Sequence, residues 1–343
     1  MCAAVQEFVG SAVFATTVAN ATLGLLLALV DHTPPRHGRQ VLMPSFTFAA
    51  VPDAALLAGM QPVFLDVDPR TLEMNIEAAR RYLRGHQGDV AATVLCNPFG
   101  IGAESMTEWE MFAAENEVAL IVDSAAGFGS RYSDGNRIGG RGDCEVFSLH
   151  ATKPFGVGEG GLIVSRDETM ITRLRARQNF GFGPERTVER PGINAKLAEL
   201  PCAIGLRQLE RLNDRIAHRQ RIAATFAGLL AGAGVMIPRG VHRSSVPFLP
   251  VLAPSPVAAD TAFRALRTAG VEAQRYYNPP LHCHPAFASL PQGETLAVTT
   301  DVCDRILSLP VHDSFTNDDV EIICATLISS LATTKPRSTD HDH

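Results

Sequence analysis

From residue 13 to about residue 165, short and continuous apolar runs alternate with longer stretches of helical periodicity. The runs at 13–19, 40–43, 62–65, 90–95, 118–122, 146–149 and 162–164 predict seven strands. The stretches at 23–31, 46–58, 75–84 and 107–117 predict the helices between them. Strands that are apolar on both faces, separated by helices, predict an α/β fold: a mostly parallel seven-stranded sheet sandwiched by helices. Ligands of such sheets sit at the carboxyl ends of the strands. A long helical region follows at 197–231, closed by Gly232, Gly234 and Pro238. Beyond it the pattern predicts a smaller α+β unit, with a strand at 246–251, a helix at 258–269, a strand at 271–275 and a final helix at 318–331. We expect a large unit over 1–215, a small C-terminal unit over 216–333, and a polar, disordered tail over 334–343.

Residues 8–30 carry no charge, which raises the question of an export signal or membrane span. Nothing before Phe8 is Lys or Arg, so the basic flank of a signal peptide is absent. Thr16, Thr17, Asn20, Thr22 and Gly24 also sit poorly in lipid. A buried strand followed by a buried helix explains the run better than a span does. The chain has 343 residues, 46% of them hydrophobic, and a net charge of -6. It is long enough for a large core, and its mild acidity without a Lys/Arg stripe argues against nucleic acid as a partner. Seven scattered cysteines with no C-x-x-C pair suit a reducing compartment. A cytoplasmic protein is expected.

Three features converge at predicted strand ends. Asp123 closes the apolar run "VALIVD", where a carboxylate costs desolvation unless a cation or donor meets it. "NATLG", residues 20–24, lies at a strand-to-helix junction, where free backbone N–H groups favour a phosphate and Thr22 adds a hydroxyl. Lys153 lies between two strands in "FSLHATKPFGVGEGGLIVS", with Ser148 ending the first. Each feature alone also fits a plainer role, a capping Asp or a solvated Lys. Together, an amine, a carboxylate and an anion cradle match the needs of pyridoxal 5'-phosphate (PLP): a Schiff-base lysine, a partner for the pyridine nitrogen and a phosphate site.

The segments "NATLGLLLAL", "MPSFTFAA", "LLAGMQPVFLDVDPRTLEMN", "VDSAAGFGSRY", "FSLHATKPFGVGEGGLIVS", "RQNFGFGP", "GINAKLAELPCAIGLRQLERL", "YYNPPLH" and "ILSLPVH" occur in this order and span nearly the whole chain. In them the chain resembles the sugar aminotransferase family of DegT/DnrJ type, among the fold-type I PLP enzymes. The resemblance implies that Lys153 is the Schiff-base lysine, Asp123 the partner of the pyridine nitrogen and Ser148 a phosphate ligand. Ala21 and Thr22 stand where the family usually has Gly-Thr at the phosphate. Phe48 resembles the aromatic that stacks on the pyridine ring. Asn194 resembles an asparagine that reaches the phosphate of a neighbouring chain, which implies a homodimer with shared active sites. There are two departures. The third residue after the pyridine-partner Asp is usually Gln or His but here is Ala126, so a polar cofactor or substrate contact is missing or supplied elsewhere. The chain also begins late relative to the family, which usually carries a further segment with a Gly-rich turn.

Other candidates have simpler readings. Asp66 and Asp68 in "FLDVD" fit a strand end leading into a Pro69 turn better than a metal site. His150 packs beside the lysine loop or acts on substrate. His282 and His284 flank Cys283 without a fourth zinc ligand, and the resemblance places His282 near substrate. No metal is expected. Arg173, Arg175 and Arg177, spaced two apart, read as solvated arginines, with diphosphate contact the alternative. The expected activity is transfer of an amino group from glutamate to a keto sugar, most readily a nucleotide-linked keto-deoxysugar. Two alternatives stay open: an aminotransferase on a cyclitol or other non-nucleotide ketone, and a non-catalytic or regulatory homologue, supported by Ala126 and the late start. The family's dehydratase branch carries His where this chain has Lys153.

Overall fold

The computed structural model describes residues 1–10, 12–32 and 38–333; the expected tail at 334–343 lies outside them. In chain order the elements are α1 (Cys2–Val9), β1 (Phe14–Val18), α2 (Ala21–His32), β2 (Gln40–Pro44), α3 (Ala50–Leu57), β3 (Gln61–Leu65), α4 (Ile76–Gly85), β4 (Val90–Cys96), α5 (Met106–Asn116), β5 (Ala119–Asp123), β6 (Cys144–Ser148) and β7 (Gly161–Ser165). There follow α6 (Glu168–Arg177), α7 (Glu199–Glu210), α8 (Leu212–Leu229), β8 (Phe248–Leu252), α9 (Pro256–Thr268), α10 (Ala297–Arg305), β9 (Ile306–Pro310) and α11 (Asn317–Ala332).

The uncharged run near the N-terminus is a strand and a helix, β1 and α2. Among the described residues no helix is long and apolar enough to cross a membrane.

The sheet has seven strands in the order β1-β7-β6-β5-β4-β2-β3. β7 is antiparallel to both its neighbours, and the other neighbouring pairs are parallel. The expected mostly parallel, helix-covered sheet is therefore present. Both faces are apolar, as the continuous runs require. One face packs Leu42, Leu95, Leu120, Val122 and Phe147 with Trp109 and Phe112 of α5. The other packs Met43, Val94, Ile121 and Val146 with Leu25 and Leu29 of α2. Each such fully buried side chain contributes about 1.5–3 kcal/mol.

Gly24 brings α2 onto the sheet, because a Cβ there would lie 2.8 Å from Val146 Cγ1. At the start of β7, a Cβ on Gly161 would lie 2.9 Å from the backbone N of Ala21. These two glycines seat the N-terminus of α2 directly against the sheet.

A third core surrounds the antiparallel pair β8–β9 and includes Phe226, Leu249, Val251, Leu307, Leu309 and Leu327. Several expectations need correction here. The expected helix at 197–231 is two helices broken at Arg211. The expected strand at 271–275 forms no ladder. Gln274 makes one isolated bridge to Ser308, and the Arg275 side chain turns back to the carbonyls of Cys303, Asp304 and Ile306. The ladder partner of β8 is β9, whose apolar run is interrupted by Ser308 and follows α10 without a turn residue. Helices α1, α6 and α10 were likewise not anticipated.

The arginines of α6 are only partly solvent-facing, and two of them are held by one carboxylate rather than free in solvent. Arg173 and Arg177 each place Nε 2.8 Å from the buried Asp31 carboxylate, and Arg175 donates to the Ala15 carbonyl at 2.8 Å. Positions 173 and 177 are four apart and share a helix face. That relation decides the matter, not the spacing of two.

Candidate active site

The carboxyl ends of β4, β5 and β6 and the N-terminus of α2 open into one cavity of about 390 Å³. Asp123 is the last residue of β5 and is 8% exposed. Its Oδ1 accepts the Ala125 N–H at 3.0 Å, and no ion pair reaches it among the described residues. Burial lifts its carboxyl to about 6, opposed by that N–H and by the charge of Lys153. A carboxylate left short of partners at a cavity floor is suited to a cationic or N–H group from a ligand.

Lys153 lines the same cavity. Its loop is fastened by backbone bonds from Lys153 to His150 (2.9 Å), Ala151 to Gly158 (2.8 Å) and Val157 to Leu149 (2.8 Å). The ammonium has no hydrogen-bond partner among the described residues. Burial pushes its pKa below the ordinary lysine value, and Asp123 pulls it partly back. Part of the population is thus a neutral, nucleophilic amine at lower pH than for a solvated lysine.

Asn20 caps α2: its Oδ1 accepts the Leu23 N–H at 2.9 Å and its carbonyl accepts the Gly24 N–H at 3.1 Å. The N–H groups of Ala21 and Thr22 belong to the first turn, which has no intrahelical acceptors for them. Both residues line the cavity, as does Ser148, whose Oγ accepts the His150 N–H at 3.2 Å. This end of the cavity is an anion cradle made of backbone donors, a helix dipole and hydroxyls.

A buried polar layer flanks Asp123. Glu145, fully buried in β6, accepts from Ser124 Oγ at 2.9 Å, the Tyr132 hydroxyl at 2.9 Å and the Arg141 N–H at 2.9 Å. Asn97 donates from Nδ2 to Ser124 Oγ at 2.8 Å and from its backbone N–H to the Asp123 carbonyl at 2.9 Å. Burial raises the Glu145 carboxyl to about 7, against its hydrogen-bond donors. Sequence reasoning missed this layer. Glu145 is hidden inside the apolar run "CEVFS", whereas Asn97 carried a usable signal: a polar residue closing an apolar strand, like Asp123.

Of the residues singled out in the sequence, the structure brings Ala21, Thr22, Phe48, Asp123, Ser148, His150 and Lys153 together around one cavity. Phe48 is 60% exposed, an apolar ring open for a planar ligand to cover. His150 and Glu159 stand 3.6 Å apart on the cavity lining, and His150 Nδ1 lies 2.9 Å from Thr152 Oγ1. Two candidates do not line the cavity. His282 pairs through Nδ1 with Ser45 Oγ at 2.8 Å, and burial lowers its pKa. Asn194 is exposed and accepts from Lys196 Nζ at 2.8 Å. Lys196 also donates to Asn179 at 2.9 Å and lies 4.8 Å from the Phe180 ring centroid, so its amine is engaged elsewhere. Asp66 accepts from the N–H groups of Val298 and Thr299 at 3.0 and 2.7 Å and so caps α10, while Asp68 closes a turn through the N–H groups of Arg70 and Thr71.

The residues present fit PLP. An under-partnered buried carboxylate, a free amine, a helix-start anion cradle and an exposed aromatic ring share a cavity of suitable size. Comparisons with known proteins agree. The model of the DegT/DnrJ/EryC1/StrS aminotransferase family matches residues 2–328. Protein Rv3402c of Mycobacterium tuberculosis is 43% identical over 326 residues, covering 94% of this chain and 79% of that protein. The dTDP-4-amino-4,6-dideoxy-D-glucose transaminase of Shigella dysenteriae is 28% identical, covering 84% and 78%. The crystal structure of a DegT DnrJ EryC1 StrS aminotransferase from Brucella abortus superposes with a TM-score of 0.88 at 28% identity, covering 96% of this chain and 88% of that one.

Proposed function

The chain belongs to the DegT/DnrJ/EryC1/StrS aminotransferase family, whose members are PLP-dependent, and on that premise we propose that it transfers an amino group from glutamate to a nucleotide-linked keto-deoxysugar. The observation that carries the assignment of roles is the shared cavity of Asp123, Lys153 and the α2 N-terminus. The sugar class draws its support from relatives that act on nucleotide sugars.

When bound, PLP supplies an aldehyde that condenses with amines and a ring that accepts electrons. Asp123 would hold the proton on the pyridine nitrogen by charge. The N–H groups of Ala21 and Thr22, with the hydroxyls of Thr22 and Ser148, would bind the phosphate. Phe48 would cover one face of the ring. Lys153 would anchor the cofactor at rest. In each half-reaction its free nitrogen would move one proton between the substrate carbon that bears the amino group and the cofactor's aldehyde carbon, in one direction with the donor and in the other with the acceptor. Pro98, Phe99, Pro247 and Phe248 wall the cavity with apolar surface that excludes water. Asn194, outside its own chain's cavity, would complete the phosphate site of a second copy in a homodimer. Seven free cysteines fit a cytoplasmic setting.

The test is a two-step assay on the PLP-loaded protein. Glutamate alone should convert the bound cofactor to its aminated form, seen by absorbance. A nucleotide-linked keto sugar should then reverse that change and yield an amino sugar. Reversal by cyclitol ketones but not by nucleotide sugars would reject the sugar class.

A further inference from the structure

The cavity wall at Ala126 carries no polar side chain, although Ala126 faces the same space as Asp123. The backbone there is rigidly packed. Ser245 Oγ donates to the Ala126 carbonyl at 3.1 Å, and a Cβ on Gly100 would lie 2.4 Å from that oxygen. Gly100 follows Phe99, which is buried and left-handed (φ 54°), a conformation bulky residues rarely adopt and one that clusters at functional sites. The Phe99 ring lies 6.2 Å from that of Tyr277, and Phe46 meets Tyr277 edge-on at 5.4 Å. Two phenylalanines thus fix the Tyr277 ring at the cavity that Ala126 also lines.

Tyr277 lines the cavity, and its hydroxyl has no hydrogen-bond partner among the described residues. Burial raises its pKa, and so does the negative charge of Asp123, so the phenol keeps its proton within the field of that carboxylate. The neighbouring Tyr276 ring packs instead on Phe248 at 5.2 Å. A protonated phenol, fixed by packing and short of an acceptor, is a pre-placed donor. Bound PLP brings a ring oxygen that carries negative charge and needs a donor.

We propose that the Tyr277 hydroxyl donates a hydrogen bond to the ring oxygen of bound PLP, supplying from the C-terminal part of the chain the contact that Ala126 cannot make. This rests on the reading that the pyridine ring lies over Asp123. The hydroxyl draws negative charge from the ring oxygen, so that oxygen holds the proton it shares with the Lys153 nitrogen less tightly.

The experiment compares the full-length wild-type chain with Tyr277→Phe, using PLP and its 3-deoxy analogue, which lacks the ring oxygen. Phe should raise the dissociation constant for PLP about tenfold, the worth of one hydrogen bond to a charged acceptor. It should also move the pH midpoint of the bound cofactor's absorbance change upward, because the shared proton is held more tightly. With the 3-deoxy analogue, wild type and variant should bind alike. Equal PLP affinity and midpoint in the two chains would overturn the inference, as would an equal penalty with the analogue. A raised KM for the sugar with an unchanged cofactor spectrum would place the hydroxyl on substrate and overturn it too. Equal affinity of the wild-type chain for PLP and the analogue rejects it without any substitution. A wild-type chain that binds no PLP would refute the cofactor site itself, and this inference with it.

Discussion

Asp123 and Lys153 face one cavity, and the charge of each opposes the shift that burial imposes on the other. Such a pair is poised for a ligand that needs an amine at one end and an anion at the other. Borohydride reduction of the PLP-loaded protein should therefore fix a pyridoxyl label on Lys153, read by peptide mapping. Lys153→Ala should lower transamination by about 10³-fold or more, the scale expected when a covalent and acid–base group is lost. A label found on Lys196 would show that the amine lacking partners is not the one the cofactor uses.

Asp123→Asn keeps shape and removes charge. Turnover should fall by about 10²–10³-fold, as for other losses of a pre-placed electrostatic group. PLP should still attach to Lys153, so the absorbance of the loaded variant should persist while the glutamate-driven change slows. Turnover equal to that of the wild type would exclude a role at the pyridine nitrogen.

Glu145 makes stability depend on pH in a defined direction. Its carboxyl is raised from 4.5 to about 7 in the folded state, so the folded chain binds its proton more tightly than the unfolded chain. The resulting stabilisation is complete below about pH 4.5 and is lost as pH rises through 7, amounting to about 3 kcal/mol at most. Asp123 should add a smaller trend of the same sign in the cofactor-free protein. Glu145→Gln does not titrate. Thermal melts of the cofactor-free chains at pH 5 and pH 8 should show the melting temperature of the variant rising relative to wild type at the higher pH. A difference constant across that range would mean that Glu145 is ionised throughout.

Asn194 is exposed outside the cavity of its own chain, so its proposed partner is another copy. Lys153→Ala and Asn194→Ala chains should each be impaired alone. Once mixed and allowed to exchange, random pairing restores about a quarter of wild-type activity, because each hybrid dimer carries one intact site. Exchange demonstrated by mass spectrometry without recovered activity would rule out a site shared in this way.

The central sheet was legible because its strands are short, uninterrupted apolar runs, and burial on both faces leaves few other uses for them. Asp123 and Lys153 were legible because polar groups at the ends of such runs stand out. Glu145 was not, since one carboxylate inside "CEVFS" gives no hint that Ser124 and Tyr132 will meet it from distant positions. The pairing of Arg173 and Arg177 with Asp31 was missed for a related reason: it crosses more than 140 positions. The break between α7 and α8 at Arg211 leaves no Gly or Pro in the sequence. β9 escaped because Ser308 and Pro310 interrupt its apolar run and no turn residue separates it from α10. Tyr277 could be quoted as part of a motif, but only three-dimensional packing puts it on the lining of the cavity that holds Asp123 and Ala126.

Helix α8 belongs to two cores at once. Its first turns, through Leu212 and Ile216, pack with the large sheet. Its later turns, through Ile222, Ala223 and Phe226, pack with the β8–β9 pair. Melting either core strips α8 of half its support, so the two should come apart together, and heating should give one calorimetric peak. Amide protons along the middle of α8 should then exchange only through global unfolding and be among the slowest in the chain.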